Sequence, residues 1–141
     1  MKIIIYSDGG SRGNPGPAGI GILIKYKSTK YEEEKISKYI GETTNNQAEY
    51  RAVIDGLQWV KENIKEPEIE IAFYLDSELV VEQLNQRYKL KNEGLKPLFW
   101  QVRDLIMQLG GRVTFSYIPR EQNKIADKLV NAAIDKATKG N

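Results

Sequence analysis

The stretch Ile3-Ile4-Ile5-Tyr6-Ser7-Asp8-Gly9-Gly10-Ser11-Arg12-Gly13-Asn14-Pro15-Gly16-Pro17 runs an apolar, β-branched segment directly into a glycine-rich turn, with one carboxylate at the junction. Residues 2 to 8 therefore read as a short buried strand that ends on Asp8. A carboxylate at a strand end, beside backbone that no side chain covers, suits a hard metal ion and a phosphate. The chain has no histidine and no cysteine. Disulfides, thiolate zinc sites and nucleophiles of the Ser-His-Asp or Cys-His kind are thus excluded. Any chemistry must come from carboxylates, hydroxyls, amides or cations.

Downstream of the turn, Gly16 to Lys27 places Ala18, Ile20, Ile22 and Ile24 at period two, which predicts a second strand. After a polar turn near Ser28, the segment Tyr31 to Ile40 is expected to return antiparallel as a third, that being the shortest connection. From Asn45 to Asn63 the period changes. Tyr50, Val53, Ile54, Leu57, Val60 and Ile64 follow the spacing of an amphipathic helix, capped by Thr43 or Thr44. Pro67 breaks the chain before Ile69, Ile71, Phe73 and Leu75 alternate along a strand that stops at Asp76.

Ser77 opens a helical stretch to about Asn85, and Pro97 suits the first turn of a helix running to Leu109 with Leu98, Val102 and Leu105 on its stripe. Gly110-Gly111 ends it. Val113, Phe115 and Tyr117 predict a last strand, terminated by Pro119, and Ile125, Leu129, Ala132 and Ala133 are expected on the buried face of a final helix. The order β-β-β-α-β-α-α-β-α predicts an α/β domain with a mixed sheet flanked by helices. One domain is expected over 1–138, with 139–141 a tail.

Composition bounds the function classes. At 141 residues, with 40% hydrophobic and 28% charged residues, the chain is sized for one ordinary globular core. Its net charge of +2 argues for no partner by itself. A local mixture is more suggestive: Arg87, Lys89, Lys91, Lys96 and Arg103 are interleaved with Tyr88, Phe99 and Trp100. It could hold a phosphate backbone, or equally be a solvated helix face over core aromatics. No apolar run approaches a membrane span, and Asp8 interrupts the first one too early for a signal peptide, so no membrane association and a cytoplasmic location are the expectations.

Asp8 and Asp76 end two alternating strands, so both can project at the carboxyl edge of the sheet. Glu49 and Asp127 lie in early turns of helices that can face that edge. Each helical acid taken alone is as well read as a capping or helix-dipole residue. Spacings of 41, 27 and 51 residues between the four, from Asp8 to Glu49 to Asp76 to Asp127, do not by themselves bring them together.

Four blocks in order, Asp8 to Gly16, Thr44-Asn45-Asn46-Gln47-Ala48-Glu49, Leu75-Asp76-Ser77 and Asn123-Lys124-Ile125-Ala126-Asp127, resemble ribonuclease H of the HI type over essentially the whole chain. That resemblance implies an RNase H-like fold: a five-stranded mixed sheet with three antiparallel strands first. It implies endonucleolytic hydrolysis of the RNA strand of an RNA/DNA hybrid, leaving 3′-hydroxyl and 5′-phosphate ends. Asp8, Glu49, Asp76 and Asp127 match the family's catalytic, metal-binding carboxylates. Asp8 would bridge two ions, Asp127 would serve the ion that activates water, and Glu49 and Asp76 would serve the other. Mg2+ is the implied ion and Mn2+ a substitute. Such a cluster of like charges is tolerable when divalent cations neutralise it.

By the same resemblance, Gly9, Gly10, Ser11 and Gly13 with Asn45, Asn46 and Gln47 contact RNA sugars. Glycine permits close backbone approach, and amides both donate to and accept from the 2′-hydroxyl that marks RNA. A tight loop plus a helix cap is the local rival. Thr44 resembles a DNA-phosphate anchor and Tyr88 an aromatic packing on deoxyribose. The chain departs from the best-known pattern in two ways. It is a compact form without a basic handle between Asn85 and Pro97, and Ile118-Pro119-Arg120-Glu121-Gln122 replaces a histidine-bearing loop. Arg120 is accordingly a candidate for a catalytic role at the scissile phosphate, with an ion pair to Glu121 as its structural alternative. A monomer is the expected state. Cleavage of double-stranded RNA and a noncatalytic nucleic-acid-binding module are the competing readings.

Overall fold

The computed structural model describes residues 1–139, so the expected tail at 139–141 falls largely outside the described residues. Three strands, β1 (Lys2–Ser11), β2 (Gly16–Lys27) and β3 (Tyr31–Thr43), form an antiparallel meander. There follow α1 (Asn45–Asn63), β4 (Glu70–Leu75), α2 (Glu78–Leu84), α3 (Lys96–Gln108) and β5 (Val113–Tyr117). A 3-10 turn (Arg120–Gln122) then leads into α4 (Lys124–Thr138). The sheet order is β3-β2-β1-β4-β5, with β4 parallel to β1 and β5 parallel to β4. This is the five-stranded mixed sheet of the RNase H fold.

The β-branched side chains of Ile3, Ile5, Ile20, Ile22 and Ile24 are fully buried on the sheet face that carries α1. There they meet Tyr50, Val53, Leu57 and Val60, while α3 packs behind α1. Phe73 and Phe115 stack within the same core at 5.3 Å. The opposite face is covered by α4 lying across β2 and β3. Among the described residues no helix is long and apolar enough to cross a membrane.

Three expectations need correction. The first strand continues past Asp8, because Gly9, Gly10 and Ser11 still pair with Ile20, Gly19 and Ala18 of β2. Gly9 there serves close packing, and the turn itself is confined to residues 12–15, where Gly13 has φ of 103° and the Arg12 N–H donates to Pro17 O at 2.9 Å. The third strand likewise runs on to Thr43, opposite Gly16.

On the last helix the buried residues are Ala126, Val130, Ala133 and Ile134, whereas Ile125 is 44% exposed and Ala132 is also exposed. The cause lies on β2. A Cβ on Gly21 would stand 2.1 Å from Ala126 O, and one on Gly19 would stand 3.0 Å from Val130 O. The helix backbone thus seats directly on a glycine strip, and small Ala126 rather than Ile125 fits beneath it.

Candidate active site

The β1–β4 ladder ends at Tyr6 opposite Tyr74, two residues before Asp8 and Asp76. Continuing that parallel register puts both carboxylates on one side of the sheet, where the two strands part. Ser77 caps α2 by accepting from Val80 N–H at 3.3 Å, so the chain turns immediately after Asp76. Glu49 arrives from the other layer. A Cβ on Gly9 would lie 2.2 Å from Ala48 O and 2.6 Å from Glu49 N, so α1 rests on bare glycine backbone at that point.

Carboxylate oxygens of Asp8, Glu49 and Asp76 consequently lie within 4.8 Å of one another. Asp127, in the first turn of α4, lines the same cavity but stands outside that group. The cavity, of about 380 Å³, is also lined by Gly9, Gly10, Ser11, Asn45, Asn46 and Arg120.

Electrostatics follow from this crowding. Burial, reinforced by the charges of Asp76 and Asp127, pushes Asp8 up to about 6, although a hydrogen bond with Glu49 and the Gly9 N–H hold it back. Glu49 is raised well above the usual carboxylate range by burial and then by Asp8. Burial also raises Asp76, against the opposing effects of the Asn123 amide and the Arg120 charge. Glu49 Oε2 is buried with no hydrogen-bond partner. Four carboxylates, one with an unpartnered oxygen, form an all-oxygen donor set of the kind that holds a hard divalent cation.

Other candidates fall in two groups. Ser11 and Asn45 are joined: the Ser11 N–H donates to Asn45 Oδ1 at 2.8 Å, and Asn14 Oδ1 accepts from Asn45 N–H at 3.0 Å. The glycine-rich turn and the start of α1 therefore form one rim. Thr44 is the α1 cap, its hydroxyl accepting from Gln47 N–H at 3.2 Å, while the Thr43 hydroxyl donates to Gln47 Oε1. Thr44, Gln47, Gly13 and Tyr88 do not line the cavity, and Tyr88 is half exposed on the α2–α3 connection. Arg120 makes no ion pair with Glu121 among the described residues; its charge acts on Asp76.

Sequence reasoning assigned no role to Asn123, which is 1% exposed and donates to both Ser7 O and Asp76 Oδ2. It also missed the clasp in which Arg12 binds Asp135 at 2.6 Å and Asn131 at 3.1 Å on α4. No periodicity marks either, since each acts through side-chain contacts to residues 47 or more positions away in the chain.

Comparison with known proteins agrees with this geometry. Residues 6–133 match the reverse transcriptase-like family. A bifunctional protein of Mycobacterium tuberculosis is 44% identical over 97% of the chain, which spans only 36% of that protein's length. Ribonuclease H of Ruthia magnifica is 34% identical, with 96% of this chain and 97% of that protein covered. The crystal structure of LC11-RNase H1, isolated from compost, superposes with a TM-score of 0.88 at 47% identity, covering 97% of this chain and 98% of the other. The same LC11 enzyme has been solved in complex with an RNA/DNA hybrid. With its sheet order, its carboxylate group and relatives that match it end to end, this chain belongs to the type 1 ribonuclease H family.

Proposed function

We propose that the chain is an endoribonuclease that hydrolyses the RNA strand of RNA/DNA hybrids, leaving 3′-hydroxyl and 5′-phosphate ends, with Mg2+ as its cofactor and Mn2+ as a substitute. The observation that carries this reading is the convergence of Asp8, Glu49 and Asp76 within 4.8 Å on a cavity that Asp127 also lines. Left without a cation, this cluster of acids is held partly protonated by burial and mutual repulsion. Asp8, Glu49 and Asp76 would hold one ion, and Asp8 with Asp127 a second. Bound there, the ions supply an activated water and neutralise charge developing at the phosphate and the leaving 3′-oxygen.

The protein's own groups bind and orient the substrate. Asn45 engages its carbonyl oxygen with Ser11, so its amide hydrogens are the part left for a 2′-hydroxyl. Gly10 keeps the wall beside the carboxylates free of a side chain, allowing a sugar-phosphate backbone to approach. Two cations line the cavity: Arg12 is paired with Asp135, whereas the Arg120 charge acts on Asp76, and its fixed charge suits a non-bridging phosphate oxygen without moving a proton near neutral pH. A monomer is the expected acting species.

The test is cleavage of an end-labelled RNA/DNA hybrid with Mg2+ or Mn2+, beside duplex RNA, duplex DNA and single-stranded RNA, using wild type and Asp8→Asn. Metal-dependent cutting confined to the hybrid and lost in Asp8→Asn is the expected result. Equal cutting of double-stranded RNA would broaden the substrate class, and binding without cutting would overturn catalysis. For Arg120→Ala the expected outcome is a fall in turnover; unchanged turnover and unchanged hybrid affinity would remove Arg120 from the site.

A further inference from the structure

We infer that Asn123 is the positioning residue that fixes the distance between Asp8 and Asp76, the two carboxylates just past the end of the β1–β4 ladder. It lies at the junction of the 3-10 turn and α4, and it is 1% exposed. As the residue before α4 it makes no side-chain cap to that helix, so its amide is committed elsewhere. The two hydrogens of its Nδ2 go to Ser7 O on β1 at 3.0 Å and to Asp76 Oδ2 beyond β4 at 3.1 Å. Ser7 is the first residue past the last paired position of the β1–β4 ladder. Where backbone pairing stops, one primary amide bridges the parting strands.

The consequence is geometric. One end of the bridge is the carbonyl of the residue preceding Asp8, and the other is the Asp76 carboxylate itself. A shift of either changes how closely these two acids approach. The amide also sits four residues before Asp127, whose N–H donates to Asn123 O at 3.1 Å, so the start of α4 is fixed to the same point. Energetically the bridge is expensive to remove. It comprises one part-buried bond to a carboxylate and one buried bond to a backbone carbonyl, and its loss removes a donor from each. An aspartate would keep the volume but donate nothing, and would set a second negative charge against Asp76.

This inference rests on the carboxylates holding divalent cations, as proposed above. Residues that orient metal ligands without touching metal typically change metal affinity or activity by about 10- to 100-fold when removed. The experiment titrates Mn2+ into the metal-free protein by calorimetry and measures kcat and KM on an RNA/DNA hybrid for wild type, Asn123→Ala and Asn123→Asp, with folding checked by circular dichroism. Both variants are expected to bind Mn2+ about tenfold or more weakly and to lose about tenfold or more in kcat. KM for the hybrid should move less than about threefold, and for Asn123→Ala excess Mn2+ should restore part of kcat. If Asn123→Ala does not fold, Asn123→Asp carries the test alone. Wild-type Mn2+ affinity and kcat in a folded variant, with only stability lowered, would overturn the positioning role. Failure of wild type itself to bind Mn2+ or cut the hybrid would instead overturn the function on which it rests.

Discussion

Replacing Asp8 by asparagine should make the metal-free protein more stable while abolishing cleavage. Asp8 is 8% exposed and its pKa is pushed up from 3.8 to about 6, chiefly by burial and then by Asp76 and Asp127. An acid raised on folding is protonated in the native state at pH values where the unfolded chain has already ionised. Its contribution is therefore neutral below about pH 4, grows unfavourable between pH 4 and 6, and is fully unfavourable above pH 6. At 1.36 kcal/mol per pH unit, the rise from 3.8 to about 6 corresponds to about 3 kcal/mol at pH 8. Asparagine removes that charge but weakens the hydrogen bond shared with Glu49, costing about 1 kcal/mol. The net gain at pH 8 is then about 2 kcal/mol, or roughly 4–8 °C in Tm for a domain near this size. Urea unfolding followed by circular dichroism in EDTA, at pH 8 and pH 4, measures it. The gain should be present at pH 8 and vanish at pH 4. Asp8→Asn equal to or weaker than wild type at pH 8, or stabilised alike at both pH values, would refute the reasoning.

Saturating Mg2+ should reverse the ranking by stabilising wild type, by about 2.7 kcal/mol at one hundred times Kd, and should do so more at pH 8 than at pH 5, where protons compete for Asp8 and Glu49; melting curves across Mg2+ concentrations check this. Gly9→Ala should destabilise the protein by about 2 kcal/mol or more and depress cleavage, because the new Cβ would stand 2.2 Å from Ala48 O and α1 must withdraw with Glu49; chemical unfolding and hybrid turnover read the two effects separately. Tyr50→Phe offers a contrast. It leaves buried Gln83 Oε1 without the 2.9 Å bond from Tyr50, costing about 1–3 kcal/mol, yet kcat on the hybrid should stay near wild type below the melting range.

The elements themselves were legible because each rests on local periodicity. Alternating Ile20, Ile22 and Ile24 put one side of β2 into the core, and the Tyr50-to-Val60 spacing does the same for α1. Boundaries failed where glycine carried two meanings. Gly9 and Gly10 look like a turn, but they extend β1, and Gly9 is needed there because α1 comes within contact of its backbone. Asp8 and Asp76 could be paired in advance, since the apolar alternation of each strand stops at its acid, although β1 itself runs on to Ser11. Their adjacency then needed only the parallel β1–β4 register, which no local pattern encodes.

Asp127 was the least legible of the four acids, and the reason lies far from it in the chain. Its orientation depends on which side of α4 meets the sheet: the spacing points to Ile125, Leu129, Ala132 and Ala133, whereas the residues buried are Ala126, Val130, Ala133 and Ile134. The observed face holds because Gly19 and Gly21 open a strip on β2 against which the helix backbone itself seats, and Ala126 is the residue small enough to lie over Gly21. Turning α4 by one residue would swing every side chain by about 100° and carry Asp127 away from the cavity it lines. The two glycines of β2 therefore do as much to place that carboxylate as the residues beside it, and a side chain at Gly21 should cost activity as well as stability.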